Sequence, residues 1–126
     1  MIFQIKLPFK TPTINHLYWH KGNMKIMKTE AKKLREDISK IVVSRLPFVC
    51  SNLNSGLKVT VEIHENWLTK KGEVKKKDVA NREKFLIDSV FGALGIDDKF
   101  IFQHHISKVQ DTEEFAIVRI ENCSVE

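Results

Sequence analysis

Between Lys75 and Lys99 the chain reads KKKDVANREKFLIDSVFGALGIDDK. A run of lysines meets Asp78, a helix-like segment follows, and Asp97 and Asp98 come directly after Gly95. Lysines attract a polyanion, carboxylates hold a hard divalent cation, and a helix between the acids fixes their separation. Magnesium-dependent phosphodiester chemistry needs that combination. Mg²⁺ is typically held by one or two carboxylates, with waters and substrate phosphate completing a nearly octahedral shell. Asp78 and one of Asp97 or Asp98 would meet that need. Adjacent strand residues point to opposite faces, so the two members of the pair should not ligate equally. An Asp-Asp pair after a glycine is also an ordinary turn, so its role depends on Asp78 lying beside it.

Lys84 falls about one turn into the helix. It reads either as a surface lysine or as an ammonium reaching back to stabilise charge on a scissile phosphate. Asn81 suits a helix cap, and its amide would also position a water or a carboxylate. The histidines carry less. His104 and His105 are neighbours on an expected strand and face opposite ways, and His16 and His20 flank a non-helical hairpin, so no zinc site is assigned. Tyr18, Trp19 and Trp67 read as core or hairpin packing ahead of a base-stacking platform.

The elements that must position these residues follow from periodicity. Met1 to Leu7 alternates as a strand, with Phe3, Ile5 and Leu7 inward. Lys21-Gly22-Asn23 marks the turn of a short hairpin. Thr29 caps a helix running to about Arg45, with Ala31, Leu34, Ile38, Ile41 and Val42 as its apolar stripe. Leu57 to Asn66 is the cleanest strand, and Trp67 to Lys77 follows with a turn at Lys71-Gly72. A second helix is expected from Ala80 or Asn81 to Phe91, with Ile87, Val90, Phe91 and Leu94 buried and Gly92 and Gly95 ending it. Phe100 to Gln110 and Phe115 to Glu121 close the pattern around an Asp111-Thr112 turn. The order implies one α+β domain over residues 1–126, a mixed sheet with two helices packed on it.

Composition sets the limits. The chain has 126 residues and a net charge of +5, which raises the prospect of a nucleic-acid partner. From Thr69 to Lys84 the basic residues Lys70, Lys71, Lys75, Lys76, Lys77, Arg82 and Lys84 outnumber the acids Glu73, Asp78 and Glu83. A solvated loop would look similar, but here the acids sit inside the basic patch. No stretch is long and apolar enough to span a membrane, and no secretory signal is expected. Cys50 and Cys123 have no metal-ligand spacing and fit free thiols in a reducing cytoplasm.

With these residues in place, the sequence resembles the RusA family of Holliday junction resolvases over most of its length. Pro12-Thr13-Ile14-Asn15 with Tyr18 three residues on is similar to the family's P-x-x-N-x-x-Y element, and Lys28-Thr29-Glu30-Ala31 to its lead into a charged helix. The more specific match is the basic run followed by D-x-D-N-x-x-K, here Asp78 to Lys84, then Asp88 to Leu94, Gly95 and Asp97-Asp98. The resemblance implies Asp78 and Asp98 as metal ligands, with Asp97 the adjacent acid, and Lys84 as catalytic. It implies Mg²⁺, with Mn²⁺ as a substitute, a homodimer, and branched DNA held by Lys70, Lys71, Lys75, Lys76, Lys77, Arg82, Asn15 and Asn81. No small-molecule cofactor is implied.

The chain departs from the pattern at Ala80, where the family places another acidic ligand. Because every flanking match survives, a deliberate inactivation is favoured over a degenerate copy. Losing that ligand should weaken Mg²⁺ binding and water activation while leaving DNA binding intact or stronger. The expectation is a structure-selective endonuclease for four-way junctions, cleavage-impaired in this chain. A non-catalytic branched-DNA-binding module is the alternative, and a small nucleotide-processing hydrolase ranks below both because no base pocket is visible.

Overall fold

The computed structural model describes residues 2–12, 18–21, 24–45, 56–76 and 80–125; at 2, 18–21, 24–26, 80 and 81 the description is of the backbone. The strands are β1 (Ile2–Leu7), β2 (Tyr18–Lys21), β3 (Met24–Met27), β4 (Gly56–Glu65), β5 (Ile101–Gln110) and β6 (Phe115–Cys123). The helices are α1 (Thr29–Val43), between β3 and β4, and α2 (Ala80–Leu94), between β4 and β5. A single 3-10 turn, Asp98–Phe100, leads from α2 into β5.

Four strands form a mixed sheet in the order β1-β6-β4-β5. The β4–β5 pair is parallel, and α2 lies within the connection between its strands; the pairs of β6 with β1 and β4 are antiparallel. A parallel pair requires a long crossover, and the Trp67–Lys99 segment supplies it. The mixed α+β architecture expected from the alternation of elements is the one observed. Strands β2 and β3 form the separate hairpin, with Tyr18 opposite Met27; the expected turn at Gly22-Asn23 lies outside the described residues.

One face of the sheet carries the core. Phe3, Ile5, Leu7, Leu57, Val59, Val61, Ile63, Ala116, Val118 and Ile120 are all buried, as strict alternation requires. Against them pack Ala31, Ile38 and Val42 of α1 and Phe85, Leu86, Ile87, Val90 and Phe91 of α2. The two helices also touch, Arg35 Nε donating to Ser89 Oγ at 3.4 Å. Helix α1 begins at Thr29 with Lys28 at the cap position and no side-chain cap, so Thr29 is the first helical residue and not the cap. Helix α2 continues through Gly92 to Leu94, and Gly95 ends it alone, at φ +70°. Only a residue without Cβ takes that left-handed turn at no steric cost.

Strand β5 contains an irregularity that matters for the site. Leu57 pairs with Ile101 but Lys58 pairs with Gln103, leaving Phe102 as a bulge. Residues 101 and 104 would face opposite ways on a regular strand. With the bulge between them, both lie on the helix-bearing face, His104 opposite the buried Val59. Across from the bulge, Gly56 gives the Phe102 ring its room: a Cβ there would stand 2.8 Å from Phe102 Cδ1.

Candidate active site

Helix α2 and the bulged start of β5 enclose an open cavity of about 270 Å³ lined by Glu83, Lys84, Ile87, Asp88, Asp98, Ile101 and His104. The helical residues 83, 84, 87 and 88 share one face by the i, i+4 rule. Asp98 arrives through the glycine-terminated end of α2 and the 3-10 turn. Lys84 and Asp98, separated by most of a helix in sequence, therefore border the same space.

The two aspartates of the DD pair divide their work. Asp97 Oδ1 accepts a hydrogen bond from the Lys99 backbone N–H at 2.9 Å, capping the 3-10 turn. Asp98 lines the cavity. The opposite-face argument for the pair, which treated the two acids as strand neighbours, is corrected in detail: Asp98 lies in the 3-10 turn before β5, with Asp97 capping it.

Asp78 lies outside the described residues, as do Asn15 and Lys77, and so does the 77–79 stretch in which the basic run meets α2. Ala80 is the first residue of α2, and Asn81 the second. Among the described residues, no three carboxylate, histidine or cysteine side chains are grouped to hold a metal ion. The cavity's carboxylates are hard oxygen donors of the kind Mg²⁺ takes, but the described set alone does not assemble a site.

A feature that sequence reasoning passed over sits in the middle of the cavity wall. His104 Nε2 lies 3.2 Å from Glu83 Oε2, with 31% and 17% of the side chains exposed. Burial pushes the Glu83 carboxyl above its ordinary range; His104 and Lys84 pull it down, and Asp88 pushes it further up. The alternation of the strand correctly sets His104 and His105 on opposite faces. What it could not provide was the bulge and the glutamate waiting across it.

The basic residues separate into two groups. Trp67 to Lys75 is a small hairpin of its own, closed by a Leu68–Val74 bridge, with Thr69 N–H donating to Glu73 O at 2.7 Å and Gly72 at φ +82°. It carries Lys70 and Lys71 exposed at its tip, and Lys76 is exposed just beyond. Arg82 is different and corrects the expectation placed on it. Its side chain is 3% exposed and its guanidinium donates to Glu65, itself 2% exposed, beneath the Trp67 ring. A buried, paired guanidinium is not available to a DNA backbone. Trp67 is core as expected, 3% exposed, its Nε1–H donating to Ile63 O at 3.0 Å.

The family model for the endodeoxyribonuclease RusA matches residues 8–121. The chain belongs to the RusA family. The match takes in β4, β5, nearly all of β6, both helices and the cavity, with β1 lying just before it, so the family's nuclease character and its action on branched DNA apply to this domain. No curated protein sequence matches the chain significantly.

Proposed function

We propose that this chain recognises four-way DNA junctions as a homodimer, and that its active site is a Mg²⁺-dependent phosphodiesterase weakened by Ala80. The observation that carries the reading is the meeting of Lys84 and Asp98 at one cavity in a chain of the RusA family. Asp78 and Asp98 would hold the cation, for which Mn²⁺ can substitute. When bound, it would supply charge neutralisation and an acidified water.

The protein's own residues do the rest. The Lys84 ammonium stabilises charge developing on the phosphate oxygens during displacement. Asp97 fixes the turn that presents Asp98. Lys70, Lys71, Lys75, Lys76 and Lys77 bind the DNA backbone, interactions that position the duplex without reading sequence. Asn81, and Asn15 from the segment after β1, hydrogen-bond to DNA or to ordered water. A two-fold dimer would present paired sites to opposing strands of a two-fold junction, so that both are nicked.

A second reading, a non-catalytic module that binds branched DNA, is favoured by Ala80 alone. One assay separates them: labelled four-way junction against linear duplex, with Mg²⁺, for the chain and for Ala80→Asp. The nuclease reading expects selective junction binding by both and paired cutting by Ala80→Asp. Junction binding with no cutting by either protein would leave the module.

A further inference from the structure

We propose that His104, oriented by Glu83, donates the proton that the leaving 3′-oxygen needs when the phosphodiester bond breaks; this rests on the nuclease reading above. Both residues line the cavity shared by Lys84 and Asp98. Their side chains come from different elements and meet at 3.2 Å. His104 reaches this face only because β5 bulges at Phe102. Bulges commonly re-aim a side chain beside an active site.

Chemistry assigns the role. Hydrolysis forms a bond from the water oxygen to phosphorus and breaks the bond to the 3′-oxygen, whose departing electron pair must be neutralised. Lys84 offsets charge, but a lysine ammonium does not readily release its proton near neutrality. Imidazole changes protonation between pH 5 and 8 and exchanges protons readily there. With the Glu83 carboxylate paired electrostatically to Nε2 at 3.2 Å, that edge of the ring is drawn toward α2 and Nδ1–H of the imidazolium is the donor left for substrate. The Nδ1 proton moves to the 3′-oxygen as the bond breaks, the water's proton passes to solvent, and His104 is recharged from solvent. The other charged groups facing the pair are Lys84 and Asp88 from α2 and Asp98 from the turn. Glu83 is held where burial disfavours its charge, a cost that folds commonly keep at working sites.

The test uses the full chain with Ala80→Asp as reference and two junctions, one ordinary and one with sulfur replacing the bridging 3′-oxygen at the mapped cut site. A thiolate leaves without protonation. Under single turnover, His104→Gln should slow the ordinary junction by about 100-fold and leave the sulfur junction close to the reference rate. Glu83→Gln should show a smaller loss with the same sulfur rescue, and serves if His104→Gln fails to fold. Equal losses on both junctions, or no loss on either, would overturn the assignment. A reference protein that cuts neither junction would show instead that the nuclease reading fails, taking this one with it.

Discussion

Arg82 and Glu65 meet in the protein interior, tying the first turn of α2 to the last residue of β4. Trp67 lies against the pair, its ring centroid 5.2 Å from the Arg82 guanidinium and 4.9 Å from the Lys108 ammonium. Gln110 completes the junction by accepting the Trp67 backbone N–H at 2.8 Å. Lys84 follows Arg82 by only two positions, so this buried tie sets where the cavity-lining face of α2 starts.

Removing one partner leaves the other charged and desolvated. Glu65→Ala or Arg82→Ala should therefore each cost about 3–5 kcal/mol in urea unfolding. Replacing both with apolar residues of similar volume, Arg82→Met with Glu65→Leu, should recover most of that loss. A double variant no more stable than the single ones would show that the pair does more than satisfy its own burial.

Two carboxylates should move stability in opposite directions with pH. Asp111 is held below its ordinary range by the Glu113 backbone N–H, with His64 assisting. The unfolded chain then binds the proton more readily, so its stabilisation is present at neutral pH and is lost as pH falls through the lowered folded value. Asp111→Asn should match the parent in strong acid and fall behind it at neutrality. Glu83 is raised by burial, so the folded state binds the proton more readily and the penalty is present above the raised folded value. Glu83→Gln should be the more stable protein at pH 7, with the advantage vanishing below the ordinary glutamate value of 4.5. Thermal unfolding across pH checks both signs.

Exposed lysines and the buried arginine should differ in DNA binding. Lys70→Ala with Lys71→Ala should flatten the dependence of log K on log salt by about 0.9 for each phosphate no longer neutralised, with equal effect on any sequence. The apolar replacement of Arg82 and Glu65 should leave that slope unchanged. A slope unaffected by the lysine substitutions would move the DNA surface elsewhere.

Much of the fold was legible because alternation and helical periodicity report burial directly. Phe3, Ile5 and Leu7, and Leu57, Val59, Val61 and Ile63, face the core as their spacing required. The expected helix stripes were too narrow in α2, where Phe85 and Leu86 are also buried against α1 and the sheet. Side-chain fate was harder to read. Arg82 looked like one more cation in a basic run, and only the placement of Glu65 at the end of β4 turns it inward. His104 was set aside because local alternation carries no information about a bulge or about a partner 21 positions earlier on α2. Lys84 and one of Asp97 or Asp98 stood out from charge type and spacing, and the family's motif order then singled out Asp98.

Catalysis as proposed depends most on the carboxylates of Asp78 and Asp98 serving one cation next to Lys84. Mn²⁺ titration by calorimetry, on the Ala80→Asp protein and its Asp78→Asn, Asp98→Asn and Asp97→Asn derivatives, measures this without any cleavage step. A single binding event lost on substituting either residue 78 or residue 98, and retained on substituting the capping residue 97, is the expected result. Separate events that respond to residues 78 and 98 independently, or binding indifferent to residue 98, would contradict it.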